Sequence, residues 1–262
     1  LILNTAHGRL SLSEKEFTDT VERDAPSFRW QGPGADLIMD DLKSLFENSR
    51  VIEFKNWSDV KNSSAIWDNL RRDVIRPLSN RDFDFIFYLG DLTGRLKFEV
   101  DEFLDIIGDF SVCGRVTLVL EERDVDGIRE IFFGKEADSG KSVLPGLREK
   151  CRSVFDLINI EYLVAGSYSD AHFFSKQQQF EIEGKRGIDL PKIERRHFIS
   201  GYMLGLLLRF DNSHSITLGL AMAGLYSGIA DKPDGKSLIG FIEKWRGELE
   251  PLTITGSSLE MV

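Results

Sequence analysis

Phe83-Asp84-Phe85-Ile86-Phe87-Tyr88-Leu89 is the stretch on which the fold turns, and Gly90-Asp91 closes it. The run is short, rich in aromatic and β-branched side chains, and apolar at nearly every position. A strand with one wet face alternates instead, so this one predicts a strand covered on both sides. Val116-Thr117-Leu118-Val119-Leu120 and Ile160-Glu161-Tyr162-Leu163-Val164-Ala165 have the same character, and Val51-Ile52-Glu53-Phe54 reads as a further strand. Helical periodicity separates them. It runs over Ala35 to Asn48, over Ser64 to Leu78 (Ile66, Trp67, Leu70, Val74 and Ile75 on one face, stopped near Pro77), over Lys97 to Phe110, and over Leu147 to Ile158. Apolar strands alternating with amphipathic helices predict an α/β fold, a parallel sheet with helices on both faces.

Working outward, Leu1–Asn4 reads as a short strand, and Ser13 to Glu16 has the spacing of a capping box that opens a helix to about Arg23. The segment from Ile128 to Phe133 gives no clear period. His172 to Glu183 alternates weakly around Gln177-Gln178-Gln179, like an edge hairpin. Three helices end the chain, at about Pro191–Phe210, Ser215–Ala230 and Ser237–Leu249. No repeat, low-complexity tract or linker interrupts these elements, so one domain over residues 1–262 is expected, with a small edge hairpin at 172–183.

The chain has 262 residues, 42% hydrophobic and 29% charged, with a formal net charge of −10. An acidic surface repels phosphate backbones and anionic lipid, and Arg71-Arg72 and Arg195-Arg196 are isolated pairs rather than a basic patch. A small molecule or a protein is therefore the expected partner, not nucleic acid or a membrane. Cys113 and Cys151 lie far apart without CxxC spacing, which argues against a disulfide framework or structural zinc and for a reducing, cytoplasmic setting. The apolar region from Phe198 to Ala230 is broken by Arg209, Asp211 and His214, too soon for a membrane span.

Chemistry in an open parallel sheet gathers beyond the carboxyl ends of its strands. The residues that fall there are Asp91, Thr93 and Arg95, then Glu121, Glu122, Arg123 and Asp124, then Gly166, Ser167, Ser169 and Asp170. Polar residues in such loops also simply face water. Gly134 to Ser142 is similar to a phosphate-binding loop, with Lys141 for charge and Ser142 for a metal-bound hydroxyl. Five residues stand between its glycines where four are required, and Pro145-Gly146 opens the next helix poorly. The four histidines (His7, His172, His197, His214) lack a metal-ligand spacing such as HxxxH and read as structural or solvated. Gly201 and Gly205, with Gly219, Gly224 and Gly228, read as close helix packing rather than a cofactor box.

From Ile160 to Trp245 the chain resembles the C-terminal part of the ribokinase-like (PfkB) carbohydrate kinases. The order of strand, short hairpin and two small-residue helices is the same. Phe198-Ile199-Ser200-Gly201-Tyr202 looks like the second half of the D-A-F-x-A-G-F signature, and Gly32-Pro33-Gly34-Ala35-Asp36 is similar to the early glycine-rich substrate motif. The resemblance implies a three-layer α/β/α fold with a mainly parallel central sheet, a substrate contact at Gly32, Gly34 and Asp36, joined by Asp91 from its place after the first buried strand, and a nucleotide contact at Gly166, Ser167, Arg195 and Arg196. ATP or ADP with magnesium would be the cofactor. The G-A-G-D motif is missing: its places hold Ile193, Glu194, Arg195 and Arg196. Bulky residues keep the backbone away from a phosphate, and an arginine cannot take a proton from a hydroxyl.

The expectation is a degenerate small-molecule or nucleotide-binding module with regulatory use. An active sugar or nucleoside kinase with Asp170 or Asp189 as base is the alternative, followed by a nucleotide binder using Lys141 and Ser142, and by an interaction protein without a ligand. Because the glycine spacing is wrong, Lys141→Ala should leave ATP affinity nearly unchanged in a titration of the purified protein. A tenfold loss, ~1.4 kcal/mol, would show that this loop does cradle phosphate.

Overall fold

β4 (Phe83–Phe87) is buried at every position, which is what an apolar run of this kind requires. It pairs in parallel with β3 (Val51–Phe54) on one side and β5 (Gly114–Leu120) on the other, and β5 pairs in parallel with β6 (Tyr162–Ala165). A hairpin of β7 (Asp170–Phe174) and β8 (Gln179–Glu183) then lies antiparallel on β6. The six strands stand side by side in chain order. β1 (Ile2–Thr5) and β2 (Gly8–Ser11) make a separate antiparallel pair. This computed structural model describes residues 2–5, 8–11, 35–55, 57–59, 63–134, 146–166, 170–184, 195–228 and 234–248. The helix expected near 13–23 and the turn at 32–34 lie outside them.

Alternation along β4 sends Phe83, Phe85 and Phe87 to one face and Asp84 and Ile86 to the other. The first face is covered by α1 (Ala35–Glu47), α2 (Ser63–Asn69), α3 (Lys97–Asp109), α4 (Glu122–Phe133) and α5 (Leu147–Phe155). Aromatic contacts dominate there. Phe54 stacks on Phe87 at 5.0 Å, and Phe110 meets Phe85 and Phe87 edge-on at 5.2 and 5.0 Å. The second face is covered by α6 (Arg195–Leu207), α7 (Asn212–Gly228) and α8 (Gly235–Glu248). Phe198, Tyr202, Ile216, Leu220 and Trp245 pack there on Val51, Ile86, Val119, Val164 and Phe173. The architecture is three-layer α/β/α with a mainly parallel sheet.

Two elements differ from the sequence reading. The segment without a clear period is the second half of α4, whose Val125 and Ile128 are buried and whose Phe132 packs partly against the core. Charges and Gly127 dilute that stripe. α2 widens into a π-turn over Leu70–Ile75, where the Arg76 N–H reaches back five residues to the Arg71 carbonyl at 2.8 Å. The glycines of α6 do serve packing. A Cβ on Gly201 would lie 2.5 Å from the Leu218 carbonyl oxygen, and one on Gly205 2.6 Å from Cα of Ser215. Cys113 and Cys151 are buried hydrophobes, and burial pushes the Cys151 thiol up to about 12. Among the described residues no helix is long and apolar enough to cross a membrane.

Asp84 is a carboxylate inside this core. Arg115 grips it with two bonds, Nε to Oδ1 at 2.7 Å and Nη2 to Oδ2 at 2.9 Å, and Arg50 adds a contact at 3.8 Å. These hydrogen bonds to Asp84 raise the guanidinium pKa of Arg115 above its ordinary value. Asp82 extends the network to Arg115, Arg50 and Arg209 at 3.2, 3.5 and 3.3 Å. Arg209 adopts a left-handed backbone, φ 61°, just past the end of α6, a conformation that costs a side-chain-bearing residue roughly 1 kcal/mol or more.

The network joins the amino ends of β3, β4 and β5 to the carboxyl end of α6, whose Leu207 carbonyl lies 3.5 Å from Arg50. Farther along, Tyr202 of α6 sits over Thr117 of β5 with its hydroxyl 3.4 Å from the Thr117 Oγ1. α6 therefore runs antiparallel to the parallel strands. Asp84→Ala leaves two arginines without their buried partner and should lower stability by about 3 kcal/mol, a drop of roughly 5–10 °C in Tm by circular dichroism. A variant as stable as the parent would show that the pair does not hold the strands.

Candidate functional site at the carboxyl edge of the sheet

The carboxyl ends of β3 to β6 point the same way, and the hairpin starts and finishes at that edge with Asp170 and Glu183. Because α6 runs against the parallel strands, its N-terminal turn with Arg195 and Arg196 faces this edge too. A helix N-terminus offers free N–H groups and a positive dipole end. The fold thus gathers here most of the candidate residues that are described.

Several of them have local structural tasks. Asp91 accepts hydrogen bonds from the Thr93 hydroxyl at 2.7 Å and the Thr93 N–H at 2.9 Å, and those two bonds hold its carboxyl below the usual range. Arg95 lies 4.9 Å over the Trp57 ring, bonds Glu99 at 3.2 Å and donates to the Ser58 carbonyl. Asp124 accepts the Glu121 N–H at 2.9 Å and so caps α4, while Arg123 pairs with Glu121 at 2.8 Å. Glu121 to Asp124 are the first turn of a helix rather than an open loop.

Gly166 follows β6 directly. A Cβ there would lie 2.4 Å from the Asp170 carbonyl oxygen and 3.1 Å from Cα of Ala171, so only glycine lets the chain turn back so closely into β7. Asp170 starts β7 and groups with His172 on the same strand and with Glu181 of β8, which lies across from His172. That grouping escaped the sequence reading, which looked for helical spacing between histidines. The period of a strand places Asp170 and His172 on one face, two residues apart. The other described histidines do have structural roles: His197 stacks on Tyr226 at 3.9 Å, and His214 bonds Asp211 at 2.8 Å.

Arg196 is exposed on the first turn of α6, and its carbonyl accepts the Ser200 hydroxyl at 2.7 Å. Gly32, Gly34, Lys141, Ser142, Ser167, Ser169, Asp189, Ile193 and Glu194 lie outside the described residues. Asp36 lies in α1 and Arg195 opens α6, but their side chains are outside as well. A cleft of about 610 Å3 between α2 and α3 is lined by Asp68, Asp101, Glu102, Asp105 and Asp109. Five carboxylates make it hostile to phosphate, and Asp68 and Asp109 already pair with Arg71.

No protein-family model matches the sequence, and neither does any curated protein. Solved structures do match. Ribokinase from Thermotoga maritima aligns with a TM-score of 0.52 at 10% identity over 78% of this chain and 59% of that one. Adenosine kinase from Sinorhizobium meliloti gives 0.54 at 12%, over 79% and 56%. Ribokinase from Arabidopsis thaliana, complexed with ribose and ATP, gives 0.52 at 12%, over 78% and 59%. The chain has the ribokinase-like fold. It spans a little over half the length of these kinases.

Gly166→Ala should break the β6–β7 turn, because the colliding atoms are backbone and cannot rotate away. The expected loss is about 1–3 kcal/mol in a denaturant melt. Parent-like stability would mean that the loop relaxes around a methyl group.

Proposed function

We propose that this chain is a degenerate ribokinase-like domain, one that binds a small molecule or nucleotide at the carboxyl edge of its sheet without standard phosphoryl transfer. The observation that carries the reading is Arg196 on the first turn of α6. In the resemblance drawn from the sequence, this is the place of the aspartate that takes the proton from the acceptor hydroxyl. A guanidinium stays protonated and donates only, so it does not fit the role of a base. It does fit attraction of an anion, since its charge adds to the dipole of a helix end that faces the edge. The fold likeness to ribokinases and an adenosine kinase supports a small polar ligand as the class, and the net charge of −10 disfavours nucleic acid. A binding domain of this kind has a regulatory rather than a metabolic use.

The test is direct. Purified protein is titrated with ATP and ADP by calorimetry and assayed for transfer to a panel of sugars and nucleosides. Saturable nucleotide binding without turnover is expected, weakened about tenfold or more in Arg196→Ala. Robust turnover would overturn the degenerate-site reading. Turnover abolished by Asp170→Asn would assign catalysis to that carboxylate instead.

A further inference from the structure

The β7–β8 hairpin carries a set of donors that this reading does not use. Asp170 and His172 share a face of β7, and the strand register sets Glu181 of β8 directly across from His172. The imidazole is fixed, with 7% of its side chain exposed, while Asp170 and Glu181 are 30% and 45% exposed. The group is therefore anchored on the inside and open to water on the carboxylate side. Nδ1 of His172 lies 3.6 Å from Oε2 of Glu181, and Nε2 lies 3.9 Å from Oδ2 of Asp170. Both separations are too long for direct hydrogen bonds. One donor atom from each residue nevertheless lies within 4.8 Å of the other two.

We propose that Asp170, His172 and Glu181 bind a divalent transition-metal ion, Zn2+ or Mn2+, with the remaining coordination positions open to water or an oxygen of a ligand. Donors at bond lengths of about 2.0–2.2 Å from such an ion stand roughly 3–4 Å apart, so small side-chain rotations close the present gaps around one. Two carboxylates balance the charge of the ion. The imidazole nitrogen selects against magnesium and calcium, which take oxygen. Three protein ligands with open positions are the arrangement of a site that exchanges its outer ligand rather than a closed structural one. The scaffold is suited to the task, since all five residues of β7 pair with β8 in register and Phe173 stacks on Phe180 at 4.7 Å on the opposite face. Nothing in this site depends on Arg196 or on nucleotide binding.

The full chain, stripped with chelator, is titrated with ZnCl2 and MnCl2 by calorimetry, and with Co2+ to read nitrogen coordination from its visible absorption. One ion per chain is expected. Its affinity should fall at least tenfold in Glu181→Gln and in Asp170→Asn, and the Co2+ band should change in His172→Gln. His172 is buried and its variant could lose the fold, whereas Glu181 lies on the exposed face of an edge strand, so the Glu181 variant decides the matter with circular dichroism as the folding check. Absence of stoichiometric uptake would overturn the site. So would affinity that stays at the parent value in both carboxylate variants, because the ion would then sit elsewhere, for instance on His214 and Asp211.

Discussion

A charged group can stay on the inner face of a buried strand only where opposite charge is brought to it, and Asp84 imposes that condition on the amino end of the sheet. Arg115 reaches it from β5 and Arg50 from just before β3, so the three strands are held in one register by side chains as well as by their ladders. Asp82 hands the same network to Arg209, which ties down the turn between α6 and α7. With its carboxyl end fixed there and Tyr202 lying over Thr117 of β5, α6 runs back along the strands. Its first turn, with Arg195 and Arg196, is carried to the opposite edge, where the strands end. The placement of the candidate site is thus decided at the far end of the molecule.

The parts of the fold that could be read from residues alone are those where burial is complete. FDFIFYL, VTLVL and IEYLVA hold apolar residues on both faces, and a two-sided parallel strand is the state that buries them. α4 was obscured because Glu122, Arg123, Asp124, Asp126 and Gly127 interrupt its stripe, and only three-dimensional contact shows Val125 and Ile128 in the core. The π-turn of α2 leaves no sequence signal, because it is set by how Leu70, Val74 and Ile75 meet their neighbours.

The candidate site was legible in outline, since strand ends and helix starts follow from the order of elements. The tasks of single residues were not. Asp91, Arg95 and Asp124 look alike as free polar side chains in a sequence, yet each closes a local hydrogen-bond circuit. The grouping of Asp170, His172 and Glu181 needs the hairpin register, which the weak alternation from 172 to 183 did not fix. Conversely, Arg196 was legible by comparison of motifs, and what the structure adds is where its helix points.

The six-stranded sheet is wound in chain order, with every helix from α1 to α5 on the same side. Among the described residues, the opposite side is roofed by the last three helices, α6 to α8. On a ribosome, a nascent chain that has just released β8 already owns its strands and one roof. Val51, Ile86, Val119, Val164 and Phe173 lack their partners on α6 to α8 until those helices emerge. For that interval the intermediate is a half-covered, sticky plate. Truncation ahead of α6 would leave this face without those helices, so α6 to α8 complete the core of the sheet rather than decorate it.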